Sequence, residues 1–193
     1  MDTMQSKIAD ILHDAISTKQ RLAGHTESIE WSARLLIDAL AKGHKVLVCG
    51  NGGSAADAQH MAGELVGRFQ KNRRGLPCVA LTTDTSILTA CANDFGYEEV
   101  FARQVEAIGA ADDVLVGIST SGNSANVIKA FEAAASAGMK RVALTGNDGG
   151  HVAQMDGVLS IVVPSCSTQR IQEGHLTIIH VLCELVEDAL FGN

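Results

Sequence analysis

Lys45-Val46-Leu47-Val48-Cys49, followed at once by Gly50-Asn51-Gly52-Gly53-Ser54, is the stretch from which the fold is read. Its apolar run does not alternate with polar residues, so it reads as a strand buried on both faces, and the glycines stop it. Helical periodicity then continues to about Arg68. The same unit recurs downstream. Cys78 to Thr82 reads as a strand, with helical segments near 85–93 and 97–108. Asp113 to Ile118 is another, followed by a Ser/Thr/Gly loop and a helix over 124–137. Arg141 to Thr145 is a fourth, broken by Gly146-Asn147-Asp148-Gly149-Gly150. Val158 to Val163 is the fifth, ahead of a long helix from about Thr168 to Phe191. Apolar strands alternating with helices predict an α/β fold: one doubly wound domain over 1–193, its five-stranded, mainly parallel sheet flanked by helices.

Upstream, residues 4–23 carry one apolar stripe (Met4, Ile8, Ile11, Leu12, Ala15, Ile16, Leu22), and a second helix begins after Thr26 and ends at Gly43. Residues 1–43 are therefore an N-terminal helical hairpin, and 44–193 the α/β core with its C-terminal helix. The hairpin's stripe needs a partner, either its own sheet or the same element of another chain, which makes it a candidate oligomer interface.

Composition excludes several classes. With 193 residues, 46% hydrophobic, the chain is long enough to bury a core, which rules out a disordered or metal-stapled miniprotein. A formal charge of −7 disfavours nucleic acid and anionic membranes as partners. Five widely spaced cysteines without a Cys-x-x-Cys pair support neither a zinc ribbon nor a thioredoxin-like site. The amino-terminal residues lack an apolar signal core, and no run approaches the ~18–20 apolar residues of a membrane span. A cytoplasmic protein is expected.

Chemistry concentrates beyond the carboxyl ends of the strands, where parallel sheets bind ligands. Gly50-Asn51-Gly52-Gly53-Ser54 precedes a helix whose free amides suit an anion, although a tight turn with a serine cap explains the same residues. Ser119-Thr120-Ser121-Gly122-Asn123-Ser124 is the stronger signal, because helix capping uses one hydroxyl and here there are four. It reads as a cradle for a phosphate monoester. Without the Lys-Ser/Thr ending of a P-loop, nucleotide hydrolysis is disfavoured. His60 and Glu64, at i and i+4, share a helix face and suit a metal, a substrate or a plain surface hydrogen bond. The last helix adds Gln172, Glu173, His175 and His180. Gln172 and His180 lie about 12 Å apart along a helix axis at ~1.5 Å per residue, so joint ligation of one ion favours a site at a subunit interface. Asn93-Asp94 suits sugar hydroxyls or a helix end. Arg68, Lys71, Arg73 and Arg74 read as a solvated loop, and 146–150 as a turn.

These motifs, with Asn93-Asp94-Phe95-Gly96, Gly117-Ile118-Ser119 and Arg170-Ile171-Gln172-Glu173 in the same order and spacing, resemble the phosphoheptose isomerases, members of the sugar isomerase (SIS) fold group. The likeness spans nearly the whole chain and is weakest over the N-terminal helices. It implies conversion of sedoheptulose 7-phosphate to D-glycero-D-manno-heptose 7-phosphate, the opening step towards ADP- and GDP-heptose precursors and the heptose of lipopolysaccharide. It also implies a cytoplasmic homotetramer with active sites near subunit interfaces and one zinc ion (Zn2+) per subunit. By motif, the zinc ligands fall on His60, Glu64, Gln172 and His180. Substrate contacts fall on Gly52, Gly53, Ser54, Glu64, Asn93, Asp94, Ser119, Thr120, Ser121, Ser124 and Gln172. Glu64 is the expected base and His180 the expected acid of an enediol isomerisation. Gly174 departs from the apolar residue usual in the family, and a glycine there is expected to loosen the start of the last helix. Rival readings are a SIS-type adaptor that binds the bacterial replication initiator, and an isomerase or etherase of another phosphosugar. The complete His/Glu/Gln/His set favours the enzyme over the adaptor.

Overall fold

The computed structural model describes residues 3–192. The five strands are β1 (Val46–Gly50), β2 (Cys78–Ala80), β3 (Val114–Ser119), β4 (Lys140–Gly146) and β5 (Val158–Val163). They form one sheet in the order β2-β1-β3-β4-β5, and every neighbouring pair is parallel. The expected mainly parallel sheet is thus entirely parallel: α-helices cross a face after β1, β2 and β3, and the link from β4 to β5 carries only a 3-10 turn (Val152–Gln154). Val46 of β1 stands opposite Cys78 on one side and Val114 on the other.

Among the described residues seven α-helices surround it: α1 (Met4–Leu22), α2 (Thr26–Ala41), α3 (Gly53–Val66), α4 (Thr85–Phe95), α5 (Ala102–Ile108), α6 (Ala125–Ser136) and α7 (Thr168–Phe191). Successive strand residues serve opposite cores. Val46 and Val48 pack with Leu36 and Leu40 of α2, Met61 and Leu65 of α3, and Ile178 and Leu182 of α7. Leu47 and Cys49 face Val105 of α5 and Val127 and Phe131 of α6. Two boundaries differ from the sequence pattern. The helix after β1 stops at Val66, where the N–H of Gly67 closes on the Gly63 carbonyl. The segment 97–108 splits into a single 3-10 turn (Tyr97–Glu99) and α5.

The topology positions the site. The chain leaves β1 towards β2 and leaves β3 in the opposite direction, towards β4, so a crevice opens between the carboxyl ends of β1 and β3. The loops after these two strands are the glycine loop (50–53) and the hydroxyl loop (119–124).

The N-terminal helices have different partners. α2 packs on α7 and the sheet, whereas α1 reaches α7. Leu22 of α1 is buried, but Met4, Ile8, Ile11, Leu12 and Ile16 remain 47–80% exposed. An open groove of about 940 Å³ lies between the end of α1, α2 and α7, lined by Leu22, Ile29, Ile37, Ile178, Val181 and Leu185. Every residue of α4 is at least partly exposed, with Ile87 and Phe95 facing out. Among the described residues no helix is long and apolar enough to cross a membrane.

Candidate active site

The hydroxyl loop begins at Ser119, the last residue of β3, and ends at Ser124, the N-cap of α6. Ser124 turns its hydroxyl to Ser119 (Oγ···Oγ 3.0 Å) rather than to the helix's own amides. The Val127 N–H closes on the Ser124 carbonyl (3.0 Å), which leaves the N–H groups of Ala125 and Asn126 for a ligand at the positive end of the helix. Thr120 is half-buried and Ser121 exposed at the mouth. Gly122 makes the tight turn with φ +64°, where a Cβ would drive into the carbonyl of Gly149. The loop 146–150, expected only to turn the chain, is the floor of this seat. Asn147 Nδ2 donates to the Thr120 carbonyl (3.1 Å), the Val152 N–H to that of Gly122 (3.0 Å) and the His151 N–H to Asn123 Oδ1 (2.9 Å). The signal available in the sequence was the pair Gly149-Gly150, a run that needs left-handed backbone under a close neighbour.

In the glycine loop, Gly52 and Gly53 are exposed at the start of α3, while Ser54 is buried (3% exposed). Gln172 of α7 lays its amide against Gly53, where any Cβ would collide with it. Asn51 and Asn126 form a reciprocal amide pair, each Nδ2 donating to the other's Oδ1 at 2.8 Å, and the Tyr97 hydroxyl donates to Asn51 Oδ1 at 3.2 Å. Asn126 was not expected to take part. Its signal was a polar residue on the apolar stripe Asn126-Val127-Ala130-Phe131-Ala134, where a buried amide must find a partner.

Further down α3, side by side with α7, three side chains converge. His60 Nε2 lies 2.9 Å from His180 Nε2 and 3.3 Å from Glu64 Oε1, and one ligand atom from each residue falls within 4.8 Å of the others. Two imidazole nitrogens and a carboxylate oxygen are a zinc-type donor set. A tetrahedral ion with ligands at ~2.0–2.1 Å would hold them about 3.3 Å apart, so the residues fit such an ion. The cluster is open, with the His60 side chain 41% and that of Glu64 24% exposed. Within this chain it is His180 that meets His60, while Gln172 sits near the start of α3, about 10 Å back along the axis from His60 at ~1.5 Å per residue. Asn93 and Asp94 end α4, exposed and hydrogen-bonded to each other (Nδ2 to Oδ1, 2.8 Å).

Of the basic run expected to be solvated, Arg68 and Arg74 are exposed and Lys71 partly so, but the Arg73 side chain is buried. Glu187 of α7, 2% exposed, accepts from the N–H groups of Phe69, Gln70 and Lys71 and from Arg73 Nε. Arg73 in turn donates to the carbonyls of Glu64 (2.9 Å) and Leu65 (2.7 Å), the last turn of α3. Burial alone would push the Glu187 carboxyl up, but these donors outweigh it and hold it down at about 2. His175, fully buried, has Nε2 2.9 Å from the Thr145 carbonyl, which makes Nε2 the protonated nitrogen, while Nδ1 is buried without a partner. Burial lowers this imidazole to about 4, so it stays neutral and structural. Gly174 does not leave α7 loose. A Cβ there would meet Val163 at 2.7 Å, so the glycine lets the helix lie directly on β5.

Comparison with known proteins identifies the family. The SIS domain family matches residues 8–146. The chain is 54% identical to the phosphoheptose isomerase of Helicobacter pylori (strain P12) over 88% of both chains. It is 60% identical to that of Geotalea daltonii over 82% of both. The solved phosphoheptose isomerase of Neisseria gonorrhoeae superposes with a TM-score of 0.91 at 48% identity, covering 96% of this chain and 100% of that one. With a like fold, and with identity at this level over most of each length, the chain belongs to the phosphoheptose isomerase family of SIS-domain proteins.

Proposed function

We propose that this chain is a phosphoheptose isomerase that interconverts sedoheptulose 7-phosphate and D-glycero-D-manno-heptose 7-phosphate. The observation that carries the reading is the convergence of His60, Glu64 and His180 in a chain whose β3–α6 loop offers a hydroxyl-and-amide seat for phosphate. That seat is built from Ser119, Thr120, Ser121 and Ser124, and it holds a dianion without an arginine. A net charge of −7 is no obstacle, because the recognition is local. Gly52, Gly53, Ser54 and Gln172 border the sugar, with Asn93 and Asp94 supplying hydrogen bonds to its hydroxyls.

Ketose–aldose conversion moves one proton from C1 to C2 and another between the two oxygens. Glu64 takes and returns the carbon-bound proton, using the oxygen not engaged with His60, and His180 moves the proton between oxygens through its ring nitrogen. His60, Glu64 and His180 would hold one zinc ion per subunit, which when bound would polarise the substrate's oxygens, whereas Gln172, beside Gly53, is too far from the cluster to share that ion within one chain. Titrating metal-free protein with zinc by calorimetry tests this directly. One ion per chain is expected, and none after His60→Ala.

A homotetramer with active sites near subunit interfaces is supported by the exposed stripe of α1, the apolar groove between α2 and α7 and the uncovered face of α4 that carries Asn93-Asp94. Light scattering should return about four times the 20.2 kDa chain mass. Mixed oligomers of Glu64→Gln and Asp94→Ala chains should regain activity if one subunit's α4 serves its neighbour's cluster. All five cysteines are free thiols, which suits the reducing cytoplasm. Neither an adaptor nor a pure phosphosugar binder needs the His/Glu/His convergence. Incubation with sedoheptulose 7-phosphate and zinc decides, since aldose formation supports the enzyme and its absence refutes it.

A further inference from the structure

The phosphate seat and the glycine loop belong to different elements, and one side-chain bridge joins them. Asn126, the second residue of α6 and only 3% exposed, exchanges two 2.8 Å hydrogen bonds with Asn51, the residue that leads into Gly52 and Gly53. Asn51 Oδ1 also accepts from the Tyr97 hydroxyl, so its amide is held from two sides. A paired amide ring of this kind is directional. It fixes Asn51 in the plane of the Asn126 amide, and a buried amide that loses its partner has no water to replace it. The glycine loop has little else to hold its register. Gly52 takes φ +56°, a conformation that glycine enters and leaves at low cost, and the loop's remaining backbone bonds run forward into α3 (Ser54 N–H to Asn51 O, Ala55 N–H to Gly52 O). Beyond Asn51 the chain continues to Gly53, against which Gln172 lies.

We propose that Asn126 is a positioning residue. By gripping Asn51 it sets the glycine loop, and through Gly53 the Gln172 amide, relative to the helix end that receives the phosphate, so that occupation of the seat fixes where the reacting end of the sugar is held. The proposal rests on the isomerase reading above, and it separates two quantities. Phosphate affinity belongs to the hydroxyls and amides of 119–125. Turnover needs in addition the correct offset between seat and loop.

Three measurements on the full-length chain decide it. Asn126→Leu keeps the volume and removes both bonds. It should lower kcat for sedoheptulose 7-phosphate by about 30-fold while the Kd for inorganic phosphate stays within about two-fold. A parallel loss of phosphate affinity, or a kcat within about two-fold of the parent, overturns the proposal. Asn126→Asp is isosteric and guards against a folding defect. Its carboxylic acid can donate to Asn51 Oδ1 only while protonated, so the variant-to-parent ratio of kcat should rise as pH falls; a ratio flat with pH counts against the role. The third measurement does not use turnover. Saturating inorganic phosphate should slow hydrogen exchange at Gly52 and Gly53 at least three-fold in the parent and not in Asn126→Leu, whereas equal behaviour in both overturns the coupling. A parent chain that makes no aldose would sink the isomerase reading, and the exchange measurement would still decide the coupling.

Discussion

The two ends of the site are built differently. The hydroxyl loop is over-determined: Ser119 and Ser124 bond each other, Gly122 is wedged beside Gly149, and three hydrogen bonds from residues 147–152 fix the loop from below. The His60, Glu64 and His180 cluster sits on helices whose outer side stands open, with His60 41% exposed. The contrast is physical. On the proposed reading, the first receives a phosphate dianion, which needs a rigid array of donors in place before it arrives, and the second moves protons, which needs room for a substrate. One chain completes the first alone and leaves the second uncovered.

The sharpest way to break this division is Glu64→Gln. It should cut turnover by about 10³-fold or more while leaving phosphate affinity unchanged, as read by steady-state kinetics and phosphate calorimetry. Next comes the clasp beneath the cluster. Arg73→Ala leaves the buried Glu187 carboxylate without its counter-charge, held only by the N–H groups of Phe69, Gln70 and Lys71, and should cost about 3–5 kcal/mol in urea unfolding. A loss under 1 kcal/mol would show that the loop finds other partners.

Acid should act on the same support. His175 is held at about 4 against an ordinary 6.5, and Glu187 at about 2 against 4.5. Both are depressed, so the stability they carry is present above their unfolded values and is lost on acidification, from pH 6.5 towards 4 for His175 and from 4.5 towards 2 for Glu187. The His175 step is on the order of 3 kcal/mol by linkage, and His175→Gln should flatten the unfolding midpoint between pH 6.5 and 4. The smallest effect belongs to the seat. Ser124→Ala removes one hydroxyl from a charged ligand, for about 1.5–3 kcal/mol of phosphate affinity, with little change in fold.

Much of this was legible in the sequence because local pattern and tertiary need agree there. The apolar run of β1 against a glycine loop, the four hydroxyls after β3 and the His60/Glu64 spacing each point to their place without a partner. The sequence could not rank the partners of buried polar groups. Glu187 and Asn126 occupy stripe positions on α7 and α6 and look like interruptions until Arg73 and Asn51 are brought across the fold to meet them. Within the basic loop Arg73 was misread for the same reason: it reads as solvated like exposed Arg68 and Arg74, and only the end of α3 packed beside α7 buries its side chain. Gly174 was read by helix propensity, and contact with Val163 reverses the sign of that judgement.

The central claim is that the open cluster moves a proton between adjacent carbons of a sugar phosphate. Proton NMR of sedoheptulose 7-phosphate incubated with the zinc-loaded chain in deuterium oxide tests it most directly. The account predicts D-glycero-D-manno-heptose 7-phosphate carrying deuterium at C2, and none from Glu64→Gln. Unchanged ketose from the parent chain, or equal product from the variant, would contradict it.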